Sequence, residues 1–453
     1  MIYKGHGQLN DVDFFSYLWF HFYMVTINYQ SLSVGSPHVF ELPYDQIENC
    51  YESPLAIATY LVSGVEATDA IHAAGKFAIG QTVGTWVPLP GLTPEMITNY
   101  QARVLSLYPV PDTTGSASYI LSVAFPTHNF DGSFAMMQTA LVGNDVSTAM
   151  PIKLLDVSFT AKALSEYHGP RLGVAGIRER CGVFSRPLVL NMVKPCIGHT
   201  PEQAAELFYE SGMGGVDLIK DDEVQSNTPV SHVGARARLF NQTAERVFEA
   251  TGKRPSYVPN ITGCPSRVLE NAEAVLEAGC RFCMLNFVAT GLDLLAELSE
   301  RYGSDLVILG HYAGVGMLNS EHLGYANPVM LGTWPRLAGA DMIMTMFPPA
   351  GNTQEHLAYL QTVQKQKLPL GNISPVMTTV GGGVTPLNLN RIVDEIGNDV
   401  VLGIGGAIQG HPLGTRAGAS AVMTALDCCM THTPLEEAAA HSEPLQAALN
   451  AWG

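Results

Sequence analysis

Short apolar segments recur along the second half of the chain, and each ends in polar or glycine residues before a helical stretch begins. Eight such segments predict strands: Leu188–Lys194, Val216–Lys220, Tyr257–Thr262, Phe282–Phe287, Leu306–His311, Met342–Phe347, Pro375–Val380 and Val400–Ile404. Helices are predicted between them, among others at Pro201–Ser211, Arg267–Ala278, Gly291–Arg301, Gln354–Gln364 and Leu387–Ile396. Continuous apolar strands that alternate with helices are typical of a parallel sheet covered on both faces. Eight units over about 250 residues predict an α/β fold built on a (β/α)8 TIM barrel.

The residues before the barrel show a different pattern. Strands are predicted at Leu55–Val62 and Ile120–Ala124, and helices at Thr68–Ile79 and Pro94–Val104. This mixture is typical of an α+β, ferredoxin-like domain. The predicted organisation is an N-terminal extension (1–50) that fits neither domain, an α+β domain (51–150), a linker (151–185), the barrel (186–435) and a C-terminal helical tail (436–453).

The composition of the chain excludes several kinds of binding partner. The 453 residues include 24 basic and 41 acidic side chains, for a formal net charge of -17, which argues against a nucleic-acid or anionic-membrane surface. No apolar run reaches the ~18 residues of a membrane span, and no signal peptide is recognisable. The sequence therefore predicts a cytoplasmic protein with no membrane partner. Only nine lysines occur, so a lysine on an apolar strand stands out.

The end of the second barrel strand carries the strongest candidate chemistry. Active sites of such barrels lie at the C-terminal ends of the strands. There Lys220 is followed directly by three carboxylates, and strand alternation points Lys220 and Asp222 to the same side. Asp222 and Glu223 offer the oxygen ligands that Mg2+ prefers. Lys220 itself either forms a plain salt bridge or, if burial lowers its pKa, presents a neutral amine that CO2 can carbamylate.

Glycine runs follow the last two strands. Gly381, Gly382 and Gly383 follow strand 7, and Gly405 and Gly406 follow strand 8. Loops at these two places are the common phosphate site of such barrels, because their backbone N–H groups face the anion. The sequence therefore predicts a phosphorylated small-molecule substrate.

The segment GGVDLIKDDE at 214–223 resembles the metal-site signature of the RuBisCO superfamily. Shorter matches occur in the family's order, namely ATY (58–60), VGTW (83–86), GIRE (176–179), RPL (186–188), VKP (193–195), PNIT (259–262) and IGGAIQGHPLG (404–414). The resemblance spans about 400 residues, from Ala56 to the C-terminus. It implies the two domains described above and a homodimer, or higher homo-oligomer, with active sites shared between subunits.

The resemblance also implies roles for individual residues. Lys220 would be carbamylated by CO2 and would bind Mg2+ together with Asp222 and Glu223, and Lys194 and His311 would be catalytic. Asn144, also catalytic, would come from the N-terminal domain of the neighbouring subunit. The residues that would bind substrate or its phosphate are Thr85, Trp86, Gly382, Gly383, Gly405 and Gly406.

Departures from the carboxylase pattern set the expected activity. Carboxylases carry Lys-Pro-Lys after strand 1, where this chain has Lys194-Pro195-Cys196. Tyr312, Met344 and Gly381 stand where the family has arginine, histidine and serine, and the loop after strand 6 has no lysine. Because carboxylation needs charge stabilisation at the new carboxylate, the chain resembles the form IV RuBisCO-like proteins and not a functional RuBP carboxylase.

The enolising half of the chemistry is retained. The sequence predicts a Mg-dependent isomerase or lyase acting on a phosphorylated keto-sugar or 3-oxo sugar acid through a metal-bound enolate, by enolisation, isomerisation or decarboxylation. An alternative is a 2,3-diketo-5-methylthiopentyl-1-phosphate enolase of methionine salvage, although its lysine base in an FGK segment is replaced here by Asn144. A catalytically silent barrel with a regulatory or binding role is the alternative from another class.

Overall fold

The structure is a computed structural model that describes residues 44–50, 52–65, 67–85, 87, 89–111, 117–144, 151–349 and 351–453. The predicted extension over 1–50 lies outside the described residues, apart from 44–50. That short piece contains the 3-10 turn Ile47–Cys50. None of the described helices is long and apolar enough to cross a membrane.

The N-terminal domain is a ferredoxin-like α+β sandwich, which confirms the predicted class. Its elements are β1 (Leu55–Ser63), α1 (Ala67–Gly80), α2 (Pro94–Tyr100), β2 (Arg103–Val110), β3 (Ser118–Pro126), α3 (Phe134–Val142) and β4 (Ile152–Phe159). The antiparallel sheet has the order β4-β1-β3-β2. Burial alternates along β1, so that Ala56, Ala58 and Tyr60 lie in the core.

Two predicted boundaries differ in the structure. The helix predicted at Pro94–Val104 ends at Tyr100, and Arg103 already belongs to β2. The predicted linker 151–185 begins with β4, which pairs with β1, and the antiparallel sheet therefore needs these residues to cover an otherwise open edge. The linker also contains α4 (Ala161–Leu164) and α5 (Gly173–Cys181).

Eight parallel strands form the barrel, as predicted. They are β5 (Leu188–Met192), β6 (Leu218–Lys220), β7 (Ser256–Val258), β8 (Phe282–Leu285), β9 (Val307–Gly310), β11 (Met342–Met346), β12 (Met377–Gly381) and β13 (Val400–Ile404). Neighbours in sequence are neighbours in the sheet, and a parallel bridge between Asn260 and Met284 joins the third and fourth strands. The strands are mostly one to three residues shorter than predicted. Several end earlier because their polar ends turn into the βα loops, whereas β6 and β12 begin two residues later than predicted.

Helices cover the outside of the barrel. They are α6 (Pro201–Met213), α7 (Val233–Thr251), α8 (Pro265–Glu277), α9 (Phe287–Thr290), α10 (Leu292–Tyr302), α11 (Trp334–Leu337), α12 (Thr353–Lys367), α13 (Leu389–Ile396), α14 (Gly406–Gln409), α15 (Thr415–Thr431), α16 (Leu435–Ala439) and α17 (Glu443–Trp452). Short turns occur at Thr127–Phe130, Val315–Met317 and Val329–Thr333. Thr200 caps α6 with a capping box that includes Gln203.

The two domains are joined by backbone pairing. The short strand β10 (Gly324–Tyr325), from the loop after β9, pairs with β4 and extends the N-terminal sheet to five strands. Asp293 of α10 accepts hydrogen bonds from the backbone N–H groups of Phe134 and Ala135 at 2.8 Å and so caps α3. These contacts hold the N-terminal domain against the barrel.

A buried carboxylate connects the first two barrel strands. Asp217, just before β6, accepts two hydrogen bonds from Arg186 at 2.8 and 2.9 Å and one from the Val189 backbone at 2.8 Å. Lys253 lies 2.8 Å away. Burial alone would raise the pKa of Asp217, but Arg186 and Lys253 outweigh it and hold that pKa below its usual value.

We expect Asp217→Ala to destabilise the barrel by about 3 kcal/mol, because it leaves Arg186 without its partner. Glu249→Ala, on the exposed face of α7, should change the free energy of unfolding by less than about 0.5 kcal/mol. Urea unfolding of both variants measures the difference. Equal stability of the two variants would contradict the role of Asp217.

Candidate active site

Lys220 is a fully buried charged group at the C-terminal end of the barrel. Its side chain is fully buried at the end of β6, and its Nζ donates to the backbone carbonyl of Asp221 at 2.9 Å. Burial lowers its pKa to about 8, against the opposing effect of nearby carboxylates such as Glu223 and Asp222. A substantial fraction of Lys220 is therefore neutral near pH 8, where an exposed lysine is almost entirely charged.

Lys194 contacts the same cluster from the neighbouring strand. It lies two residues beyond the end of β5, and its Nζ donates to a carboxylate oxygen of Asp222 and to Sγ of Cys196. Burial alone would lower the pKa of Lys194, but the hydrogen bonds to Asp222 and Cys196 raise it above its usual value. The same ion pair lowers the pKa of Asp222, although burial opposes this. Lys194 is therefore an ammonium whose proton points at the cluster.

His311 faces the outer carboxylate of the cluster. It is buried at the end of β9, with Nε2 3.8 Å from a carboxylate oxygen of Glu223, while Nδ1 accepts the Ala313 backbone N–H at 3.2 Å. Burial, together with the nearby Lys220, lowers the pKa of His311 to about 3. Because Nδ1 is an acceptor, the neutral ring carries its proton on Nε2, which faces Glu223. Tyr312 stacks on this ring at 4.8 Å.

The three carboxylates after Lys220 have different environments. Asp221 accepts hydrogen bonds from Tyr257 at 2.6 Å, from Arg236 at 2.9 Å and from the Asn260 backbone at 3.0 Å. These hydrogen bonds hold the Asp221 side chain against the barrel. Asp222 accepts a hydrogen bond from Lys194, and Glu223 lies 3.8 Å from His311, while their role as metal ligands stays a prediction.

Two asparagines hold the loop that carries the carboxylates. Asn260 and Asn286, at the ends of the third and fourth strands, each donate to the backbone carbonyl of Glu223 at 2.9 Å. The Asn286 Oδ1 atom is buried without a hydrogen-bond partner. The sequence pattern predicts no role for either asparagine. Their positions at consecutive strand ends were the available signal.

The donor set fits a hard cation. Among the described residues, no three His, Cys, Asp or Glu side chains are grouped as a metal site. The candidate set is instead two carboxylates, Asp222 and Glu223, beside a lysine whose amine is partly neutral. Oxygen ligands of this kind suit Mg2+ and not a thiol-preferring metal.

Glycines shape the loops that follow β12 and β13. Gly382 and Gly383 have φ values of 82° and 75°, so the turn after β12 uses a conformation that favours glycine. A side chain on Gly405 would lie 3.6 Å from the Lys194 side chain, which places the loop after β13 beside Lys194. Phosphate binding by these glycines and Gly406 stays a prediction.

The positions that depart from the carboxylase pattern pack together. The methyl group of Met344 lies 2.2 Å from where a Cβ on Gly381 would stand, so the methionine fills the space of the missing side chain. Met344 belongs to the apolar interior of the barrel together with Met342 and Met377. The side of the site formed by β11 and β12 is therefore apolar.

The residues that the N-terminal domain is predicted to contribute belong to other elements than the barrel strands that carry this cluster. Thr85 follows α1 and Asn144 follows α3, and both are exposed. Trp86 lies outside the described residues. Their delivery to the site of a neighbouring subunit stays a prediction.

We expect Lys220 to weaken the fold as the pH falls. As the pH falls, Lys220 takes up its proton near pH 10.5 in the unfolded chain but only near pH 8 in the folded chain. Between these two values the unfolded state binds more protons, so the free energy of unfolding of wild type decreases as the pH falls. Relative to Lys220→Met, the free energy of unfolding of wild type should fall by up to about 3 kcal/mol over this range and stay constant below it. Denaturant unfolding at several pH values measures this, with exposed Lys76→Met as the pH-independent control. A pH-independent difference for Lys220→Met would contradict the burial effect.

Comparisons with known proteins agree with this geometry. The N-terminal and catalytic domains of the ribulose bisphosphate carboxylase large chain match residues 51–162 and 173–452. A ribulose bisphosphate carboxylase-like protein of Archaeoglobus fulgidus is 33% identical, covering 83% of this chain and 87% of that protein. A 2,3-diketo-5-methylthiopentyl-1-phosphate enolase of Bacillus licheniformis is 32% identical, covering 88% and 98%.

Solved structures show the same architecture. A rubisco-like protein (MtnW) from Alicyclobacillus acidocaldarius superposes with a TM-score of 0.81 at 31% identity, covering 88% of this chain and 99% of that one. An octameric rubisco from Pyrococcus horikoshii gives 0.81 at 30% identity, covering 90% and 95%. The chain therefore belongs to the RuBisCO large-chain family, as a form IV RuBisCO-like protein.

Proposed function

We propose that this RuBisCO-like enolising enzyme is Mg2+-dependent and acts on a phosphorylated keto-sugar or 3-oxo sugar acid by enolisation, isomerisation or decarboxylation. The proposal depends on one observation: Lys194 donates to Asp222 of the Lys220–Glu223 segment, at the ends of two adjacent strands. An enolising site requires a hard-cation donor set with an acid–base group beside it, and Lys194 would donate a proton as the ammonium and remove one only as the neutral amine.

Asp222, Glu223 and Lys220 would hold the cation. The neutral amine of Lys220 is the form that reacts with CO2, and a carbamate there adds an anionic oxygen to the two carboxylates. The pKa of about 8 supports this reaction near neutral pH. When bound, Mg2+ supplies Lewis-acid polarisation of a substrate ketone.

Lys194 is the proposed proton-transfer group. Its Nζ donates to Asp222 at the edge of the proposed cation site, where a ketone held by the cation would need an acid–base group. Neutral His311 presents an N–H toward the same space. Asn144, at the position of the FGK lysine of the diketo-enolases, has no acid–base function of its own, and it would orient substrate from the neighbouring subunit.

The two ends of the site favour a substrate with one phosphate. The glycine loops after β12 and β13 offer backbone N–H groups for that phosphate. A cavity of about 700 Å3 lies between the loops after β9 and β11, and it adjoins the cluster through Tyr312, which stacks on His311. Its lining is mostly apolar, with Val315, Met346 and Tyr359, and includes the carboxylate of Glu355. None of the described residues that line it is lysine or arginine. This supports an uncharged far end of the substrate.

The alternative is the reaction of a 2,3-diketo-5-methylthiopentyl-1-phosphate enolase. The relatives of that name and the apolar cavity favour it. Asn144 stands where those enolases have their lysine base, which counts against the same mechanism in this chain. Lys194 would have to act as the base instead.

NMR in D2O with enzyme and Mg2+ separates these reactions. 2,3-Diketo-5-methylthiopentyl 1-phosphate and a phosphorylated 3-oxo sugar acid are the two probes. Deuterium entering C1 of the diketone identifies the enolase, and CO2 release from the 3-oxo acid identifies the decarboxylase. If neither change occurs in the presence of bicarbonate, both the enolase and the decarboxylase reaction are contradicted.

We expect Lys220→Ala to abolish Mg2+-dependent turnover, because it removes both the carbamate and its metal ligand. Lys194→Ala should leave Mg2+ binding intact and slow proton transfer by about 100-fold or more. Isothermal titration with Mg2+ and bicarbonate, beside the activity assay, measures both effects. Joint loss of binding and activity in Lys194→Ala would place Lys194 in the metal shell.

A catalytically silent barrel is tested without substrate. Carbon-13 NMR with labelled bicarbonate and Mg2+ should show a carbamate signal that Lys220→Ala lacks. Its absence in wild type, together with no turnover of either probe, would favour a regulatory or binding role.

A homodimer with shared active sites is the proposed assembly. Exposed apolar side chains occur on several loops at the C-terminal face of the barrel, including Ile197, Val230, Leu323 and Leu413. The structural neighbours include a dimeric archaeal rubisco from Hyperthermus butylicus. A cytoplasmic location is proposed because all eight cysteines are free thiols.

Mixing two inactive variants tests the shared site. Lys220→Ala and Asn144→Ala, unfolded and refolded together, should regain about a quarter of wild-type activity, because half of the dimers then contain one intact site. Each variant refolded alone is the control. No recovery in mixed dimers confirmed by native mass spectrometry would contradict sharing.

A further inference from the structure

A thiol contacts the proposed proton-transfer lysine. Cys196 lies two residues after Lys194 and is partly buried, with its Sγ 3.0 Å from Lys194 Nζ. Carboxylases of the family carry a lysine at this position, as the sequence comparison above describes. The replacement therefore exchanges a second cation beside Lys194 for a hydrogen-bond acceptor.

The surroundings of Lys194 give the thiol a specific task. A side chain on Gly405 would meet the Lys194 stem at 3.6 Å, so the stem runs along the loop after β13. Within the described residues, the hydrogen-bond acceptors of Lys194 Nζ are Asp222 and Cys196. The direction of the ammonium group is set by these two acceptors.

The two acceptors do not remain equal when the site is loaded. Asp222 is a proposed cation ligand, and a carboxylate that shares its charge with a divalent cation holds an ammonium group less strongly. Cys196 is not part of the proposed ligand set, so the cation does not compete with Lys194 for its sulfur. The thiol is then the acceptor that keeps Nζ in place during turnover.

We propose that Cys196 is a positioning residue that holds Lys194 for proton transfer in the metal-loaded enzyme. This inference rests on the proposed function, since it requires Lys194 to be the acid–base group. Cys196 itself takes no part in bond making.

Substitutions at Cys196 test the proposal in the full-length enzyme with Mg2+ and bicarbonate. Cys196→Ala should lower kcat about 10- to 100-fold with KM nearly unchanged, because the phosphate and metal contacts of the substrate remain. Cys196→Ser keeps an acceptor and should restore most of kcat. Cys196→Lys brings a second ammonium beside Lys194 and should lower kcat at least as much as Cys196→Ala does.

The matched control is Cys264→Ser, an exposed cysteine at the start of α8, which should leave kcat and KM unchanged. Wild-type kcat in Cys196→Ala would overturn the proposal. So would equal losses in the serine and alanine variants, or a loss confined to KM.

A crystal structure of Cys196→Ala with Mg2+ and bicarbonate separates this inference from the proposed function. Displacement of Lys194 Nζ from its wild-type position, and its return in Cys196→Ser, would support positioning even if neither probe substrate were turned over. An unmoved Nζ would overturn positioning whatever the activity. Failure of wild type on both probes would count against the proposed function alone.

Discussion

The parallel pairing of the first two barrel strands is the constraint on which the active site depends. Their register aligns Leu190 with Leu218 and Met192 with Lys220. The chain leaves each strand two residues later at Lys194 and Asp222, so these two side chains meet as an ion pair. Asp217 secures the opposite end of the same strand pair through Arg186. A slip by one residue would turn Lys220 out of its place and separate the pair.

Burial and charge then give the neighbouring lysines opposite properties. Lys220 has little access to water, and desolvation brings its pKa to about 8 despite the carboxylates around it. Lys194 is partly exposed and directly hydrogen-bonded to a carboxylate, so its pKa rises. One amine is thereby suited to react with CO2 and the other to carry a proton. Environment, and not residue type, separates their roles.

The apolar side of the site bears on the substrate. Met344 occupies the space that Gly381 leaves open, so the two departures from the carboxylase pattern form one packed unit. With Tyr312 stacked on His311 and Met344 in β11, the ends of β9 and β11 present a ring and a methyl group in place of cations. A second phosphate would find no positive charge among these residues, which favours a substrate with one phosphate.

The sequence by itself determined the two domains, the eight barrel strands and the position of the Lys220 segment, because periodicity and strand-end chemistry are local properties of the chain. Strand alternation favoured Asp222 over Asp221 as the ligand, but the sequence did not show what holds Asp221, since Arg236 and Tyr257 come from later elements. It also placed β4 in a linker, because edge pairing with β1 joins residues about a hundred positions apart. The contact between Cys196 and Lys194 depends on how the loop after β5 folds against Asp222, and only the tertiary structure decided it.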